Sequence, residues 1–285
     1  MRTYLDCYPC FVRQALSAAR MAGATDSEQW EILQQTFALL QDFELGATPP
    51  EIGTVIHRIV REDTGNGDPY AAVKATSTRE ALAMLPRLQT IVSEAADPLD
   101  AALRLSIAGN IIDFGMGDGH SFGLWQTVER VLDQPFGVDD RPAFYATLDG
   151  AGEVLYLADN AGETVFDRVL IELLDVPVVY VVKGGPVLND ATVDDAVAAG
   201  LDRVAQLVDN GAAAPGTVLQ HCSDEFRLRF EQAAMVIAKG QGNYETLSAA
   251  GPRVFNLLQV KCPVIARDVG QPVGSIVLKQ AGVDG

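Results

Sequence analysis

The stretch EVLYLADNAGETVFDRVLIELLDVPVVYVVKGG, residues 153–185, decides the fold. Its two apolar runs, 153–159 and 177–183, are short, rich in Val, Leu and Tyr, and almost free of polar alternation. Runs of that kind are strands covered on both faces. Between them Phe166, Val169, Leu170 and Leu173 recur at three- and four-residue spacing, which makes 163–174 an amphipathic helix. Strand, helix and strand in succession mean a parallel sheet with helices on its faces.

The same alternation continues toward the C-terminus. ATVDDAVAAG (191–200) is a short helix closed by Gly200, RVAQLV (203–208) a strand, SDEFRLRFEQA (223–233) a helix and MVIAK (235–239) a strand. RVFNLLQV (253–260) and PVGSIVL (272–278) are further strands, expected to run antiparallel. Toward the N-terminus the period is helical from Phe11 to about Gln134. Trp30, Ile32, Leu33, Phe37 and Leu40 share a helix face, Pro49 and Pro50 open another helix, and Pro86 breaks or kinks a third. GNGDPYAAVK (65–74), with Asp68, Tyr70 and Lys74, is expected to be a solvent-exposed loop. The expected architecture is α/β: a helical N-terminal region (1–134) packed on an α/β/α sandwich with a mainly parallel, Rossmann-like sheet (135–285).

Among 285 residues the acidic side chains outnumber the basic by 38 to 21, a formal net charge of −17. So acidic a surface repels phosphate backbones and anionic lipids, which argues against nucleic-acid and membrane partners. No apolar run approaches the roughly 18 residues of a membrane span, and MRTYLDCYPC lacks the apolar core of a signal peptide. A cytoplasmic setting is expected. Cys7 and Cys10 form a CxxC pair; zinc would need two more ligands from Cys222, Cys262, His57, His120 and His221, none at a finger-like spacing. A redox role lacks the usual preceding strand, and a plain helix start with thiols is the ordinary alternative.

Chemistry collects in the loops after the strands. The first runs into Asp159-Asn160-Ala-Gly-Glu163, the second into Lys183-Gly-Gly and Asn189-Asp190, the third into Asp209-Asn210-Gly211, the fourth into Lys239-Gly-Gln-Gly-Asn243. Loops at the carboxyl ends of strands in an open α/β sheet meet in one crevice. Each Asp or Asn alone would be a turn or cap residue; four such loops in series point to a shared site. Oxygens from Asp159, Asn160 and Asp190, without His or Cys, suit a hard divalent ion. Lys183, Lys239 and helix N-termini add positive charge, and the set together suits a phosphate. Asn110 and Asp113 of GNIIDFG share a helix face and either line the crevice or join the two halves.

With LADNAGE, GGPVLNDAT and KGQGNYETL in order, preceded by GNIIDFG and an N-terminal CxxC, the chain resembles the metal-dependent damage-control phosphatases (domain of unknown function eighty-nine), and within them the prokaryotic branch. The resemblance implies hydrolysis of phosphomonoesters of small metabolites, sugar phosphates included, with Mn, Co, Ni or Mg as cofactor. By motif it implies Asp159, Asn160 and Asp190 as metal ligands, Lys239 on the substrate phosphate, and Asn110 and Asp113 at the pocket border. Asp159, Lys239 and Glu163 are the candidate catalytic residues. Lys183, Asn110, Asp113, Asp209, Gly211, Lys239 and Asn243 are the candidate substrate contacts. The rivals are an S-adenosylmethionine-dependent carboxyl methyltransferase and a phosphometabolite- or metal-binding protein without turnover. Against the first, the strand at 153–159 ends in DNAGE and not in a glycine-rich turn.

Overall fold

The computed structural model describes residues 1–43, 46–111 and 121–282. Helices α1 (Tyr8–Met21), α2 (Asp26–Asp42), α3 (Pro49–Thr64), α4 (Ala71–Glu94), α5 (Pro98–Ile111) and α6 (Ser121–Asp133) come first. The sheet region follows as β1 (Phe136–Asp139), α7 (Arg141–Asp149), β2 (Val154–Leu157), α8 (Thr164–Ile171), β3 (Val178–Val182), α9 (Val193–Ala198) and β4 (Gln206–Asp209). It closes with α10 (Asp224–Gln232), β5 (Met235–Lys239), α11 (Gly240–Leu247), β6 (Val254–Gln259), α12 (Pro263–Val269) and β7 (Ile276–Gln280). Among the described residues no helix is long and apolar enough to cross a membrane.

Helix starts follow local chemistry. Thr48 and Glu51 form a capping box around Pro49 and Pro50, whose missing N–H groups fall in the first turn where no helical acceptor exists. Pro86 sits inside α4, which nevertheless runs unbroken from Ala71 to Glu94. The 65–74 stretch departs from its expected exposure. Lys74 is 4% exposed and pairs with Asp68 and Asp195 at 2.9 Å each, so it pins the start of α4 against the start of α9.

The seven strands lie in the order β1-β7-β6-β5-β2-β3-β4. From β6 to β4 every neighbour is parallel; β7 runs antiparallel to β6 and β1 parallel to β7. The antiparallel expectation therefore holds for β7 and fails for β6, which pairs with β5 by an ordinary parallel crossover through α11. The chain steps outward from β2 to β3 and β4, then returns to place β5 on the other side of β2, with Val154 facing both Val178 and Met235. That reversal is a topological switch point, and the crevice outside the carboxyl ends of β2 and β5 is where such sheets bind ligands.

One sheet face carries Val154, Tyr156, Tyr180 and Ile237 against α4, α5 and α8. The other carries Leu155, Val179 and Val236 against Phe226 and Phe230 of α10. Helices α1–α3 close a further core around Phe11, Ile32, Ile52 and Ile56.

His57 belongs to that helical core. It is 2% exposed, its ring stands edge-on to Tyr70 at 6.1 Å, and its Nε2 has no hydrogen-bond partner among the described residues. Burial, helped by Arg61, pushes its pKa down to about 4. The unfolded chain takes up this proton near pH 6.5 and the folded chain does not, so the stability His57 contributes above pH 6.5 is lost on acidification toward pH 4. At pH 5 that loss is about 2 kcal/mol. Urea titrations at pH 7.5 and 5.0 should show the native chain losing that much more than His57→Phe, in which the carboxyl contributions are unchanged. Equal losses would remove the assignment.

Candidate active site

The main chain at the switch point brings two loops together. The Ala161 N–H donates to the Asn189 carbonyl at 2.9 Å, the Ala191 N–H donates to the Asp159 carbonyl at 2.8 Å, and Asn160 and Asp190 face each other as an isolated antiparallel bridge. This rung carries Asp159, Asn160 and Asp190 onto the floor of a cavity of about 850 Å³, a volume typical of small-molecule sites. Leu188, the one non-glycine residue with positive φ among the described residues (φ 46), turns the second loop back so that its side chain packs on the α1–α3 core.

A hydrogen-bond network ties the floor to the structure beneath it. Asn110, at the end of α5, donates from its Nδ2 to Asp159 Oδ2 at 2.9 Å and to Glu163 Oε1 at 2.8 Å. Asn160 Nδ2 donates to the same Glu163 oxygen at 2.5 Å, which leaves its amide oxygen as the free donor atom toward a cation. Glu163 Oε2 meets the Lys239 ammonium at 3.3 Å, and Lys239 is ion-paired on its other side to Asp167. Gly240 makes room for this arrangement: at φ +78, a Cβ there would lie 1.8 Å from Asp159 Oδ2.

Three carboxyls, two on the floor and Glu163 beneath it, are held above their ordinary range. Burial raises Asp159 to about 6, with the charge of Asp190 adding to it; Lys261, Lys183 and Lys239 pull the other way. Burial raises Asp190 to about 6 against the attraction of Lys183, and Glu163 to about 7 against that of Lys239. Burial also pulls on Lys239, but Asp167 and Glu163 outweigh it and hold the ammonium above its usual value.

Asp190 Oδ2 is buried and lies 3.4 Å from Lys183 Nζ, an ion-pair distance at an angle that makes no hydrogen bond. An orphaned carboxylate oxygen, a second carboxylate and an outward amide oxygen form a donor set of hard oxygens, which fits Mg²⁺- or Mn²⁺-like ions. Among the described residues no group of three or more His, Cys, Asp or Glu side chains is gathered as for a metal. The set here is two carboxylates and an amide.

The structure sorts the other expected residues by strand position. Lys239 does not reach the cavity: it is 0% exposed, because alternation along β5 puts it on the same face as Met235 and Ile237, underneath the floor. Lys183 is also buried; it donates to the Gly216 carbonyl at 2.6 Å and lines a smaller cavity of about 420 Å³ beside α9. Asp209 ends β4, the edge strand, and its Oδ1 accepts from the Gly211 N–H at 2.9 Å. Asp209 and Gly211 form an exposed turn away from the main cavity. Asn243 is fully buried and braces backbone, donating to the Ala158 and Lys239 carbonyls at 3.1 and 2.8 Å. Asp113 lies outside the described residues.

Several cavity residues escaped sequence reading. Lys261 is an exposed cation on the cavity wall, in the loop after β6, a fifth strand-end loop that the count of four passed over. Gln241 and Glu245 of α11 and Gln259 of β6 add polar wall. Cys7, the N-cap of α1, and Cys10 in its first turn also line the cavity, as does Cys262 at the N-cap of α12. The N-terminal segment is held there by an ion pair between Asp6 and Arg267.

Comparison with known proteins gives a consistent picture. The family model for the damage-control phosphatase ARMT1-like domain matches residues 3–277. A damage-control phosphatase of Pyrococcus horikoshii is 32% identical, with 97% of each chain covered. One of Archaeoglobus fulgidus is 33% identical, over 96% of this chain and 97% of its own. The crystal structure of a protein of the domain-of-unknown-function eighty-nine family from Pyrococcus horikoshii superposes with a TM-score of 0.90 at 32% identity, covering 98% of this chain and 99% of the other.

Proposed function

The chain belongs to the damage-control phosphatase ARMT1-like family, and from that footing we propose that it hydrolyses phosphomonoesters of small metabolites, sugar phosphates among them, with a divalent ion held by Asp159, Asn160 and Asp190. Its activity is that of a metabolite phosphatase. The observation that carries the reading is the pair of buried carboxyls on the cavity floor, one with an oxygen that accepts no hydrogen bond, in a site whose wall carries the exposed cations Lys261 and Arg267.

A bound ion would supply Lewis acidity toward a phosphoryl oxygen. The chain's own residues do the rest. The Asn110 amide fixes Asp159 and Glu163 relative to one another. Lys261 offers the phosphate dianion its positive charge from the wall, the part that the motif resemblance assigns to Lys239. Gln241 and Gln259 present amides suited to sugar hydroxyls. Mn, Co, Ni and Mg all accept such an oxygen set, and we place the enzyme in the cytoplasm, in keeping with four unbridged thiols.

The test is phosphate release from p-nitrophenyl phosphate by chelator-stripped protein, with Mn²⁺, Co²⁺, Ni²⁺ or Mg²⁺ restored singly. At least one ion should raise turnover tenfold or more. Tight ion binding without turnover of any phosphomonoester would instead mark a storage or binding protein.

A further inference from the structure

Asp167 does not line the cavity, yet it is 0% exposed and gathers more donors than any floor residue. Ser106 and Tyr156 donate their hydroxyls to its Oδ1 at 3.0 and 2.8 Å, Tyr180 donates to its Oδ2 at 2.8 Å, and Lys239 pairs with its Oδ1. These donors come from α5, β2, β3 and β5, so one carboxylate joins the two strands at the switch point with a neighbouring strand and a covering helix.

Asp167 also stands one helical turn after Glu163, on the same side of the chain, and both carboxylates hold Lys239. The connection then passes upward without a gap: Lys239 to Glu163, Glu163 to the amides of Asn110 and Asn160, and Asn110 to Asp159. We infer that Asp167 is a positioning residue for the metal floor: by anchoring Lys239 it fixes Glu163, and Glu163 in turn sets the amide of Asn160 so that its oxygen faces the ion. The inference rests on the assignment of the ion to Asp159, Asn160 and Asp190.

A purely structural role would be content with any group that fills the volume. The connection requires the negative charge: Lys239 is buried between Asp167 and Glu163, and the neutral amide of Asp167→Asn no longer balances the ammonium, which is left to move toward Glu163. Residues behind metal ligands typically alter ion affinity about 10- to 100-fold, and that is the effect expected here.

The measurement is Mn²⁺ binding to chelator-stripped protein by titration calorimetry, with thermal midpoints recorded alongside. Asp167→Asn should bind Mn²⁺ at least tenfold more weakly. Phe226→Leu, in the core on the opposite sheet face, provides a destabilised reference that binds as the native chain does. Native-like affinity in folded Asp167→Asn, or equal losses in both variants, would overturn the inference. Should Asp167→Asn fail to fold, Tyr180→Phe decides: a threefold or greater loss supports the role and unchanged affinity removes it. A native chain that binds none of Mn²⁺, Co²⁺, Ni²⁺ and Mg²⁺ would sink the proposed function itself, which keeps the two failures apart.

Discussion

Gly240→Ala is expected to lower kcat/KM for phosphomonoester hydrolysis by two orders of magnitude or more while the protein still folds. Two effects act at this position. The first is conformational: φ is +78, a region where alanine costs about 1–2 kcal/mol. The second is a collision. The new methyl would sit 1.8 Å from Asp159 Oδ2, 2.3 Å from its Cγ and 3.0 Å from Asn110 Nδ2. The carboxylate must swing off the floor, or the turn between β5 and α11 must shift and disturb the Asn110–Asp159 pair beside it. Gly270→Ala separates the two effects, because Gly270 has φ +74 with nothing within 4 Å of its Cβ position. It should lose stability by about 1 kcal/mol and keep its activity. Near-native turnover in Gly240→Ala would show that Asp159 need not stand where it does.

Asp159→Asn should abolish metal-restored turnover and, without metal at pH 7.5, make the protein more stable. The second half follows from the sign of the pKa shift. In the folded chain burial and the neighbouring Asp190 raise Asp159 from 3.8 to about 6, so above pH 6 it is ionised in both states but at a cost in the folded one. That cost is up to about 3 kcal/mol at pH 7.5 and shrinks as pH falls through 6 toward 4. Neutralising the residue removes it. Adding Mn²⁺ should reverse the ranking, since only the native chain gains stability from the bound ion. Urea titrations with and without Mn²⁺ give all four numbers. Metal-dependent turnover retained in Asp159→Asn would contradict the assignment of this carboxylate as a ligand, and a metal-free variant less stable than the native chain would contradict the raised pKa.

Much of the fold and of the cavity floor is legible in the sequence, and the failures have physical reasons. Strand and helix periods in 153–239 located β2 to β5, and the residues after β2 and β3 proved to lie together on the cavity floor. Chain order does not reveal sheet order, however. Asp209 follows a strand like the others, but β4 is an edge strand, so the first turn of its loop lies off the main cavity, which that loop reaches only at Pro215 and Gly216. Lys239 could have been placed by parity: two residues on from Ile237 on a strand, it shares that buried face. Asp167 reads as an ordinary polar position on an amphipathic helix. Only the hydroxyls of Tyr156 and Tyr180, carried by two different strands, show why it is buried. Strand β1, four residues long at the sheet edge, has too few side chains to register as a period.

The rung of main chain between Asn160 and Asp190 has a consequence for how such an enzyme diversifies. The floor is built by residues 159–190 and braced from below, whereas the opposite wall is built by Phe11, Gln14, Pro49 and Pro50 of α1 and α3 together with Lys261 and Arg267. Floor and wall are encoded by different stretches of chain and share no side chain. Point changes at Phe11, Gln14, Pro49 and Pro50 therefore alter which molecules fit without touching the floor ligands or Lys261. One reaction can in this way be inherited intact while its substrates turn over through descent.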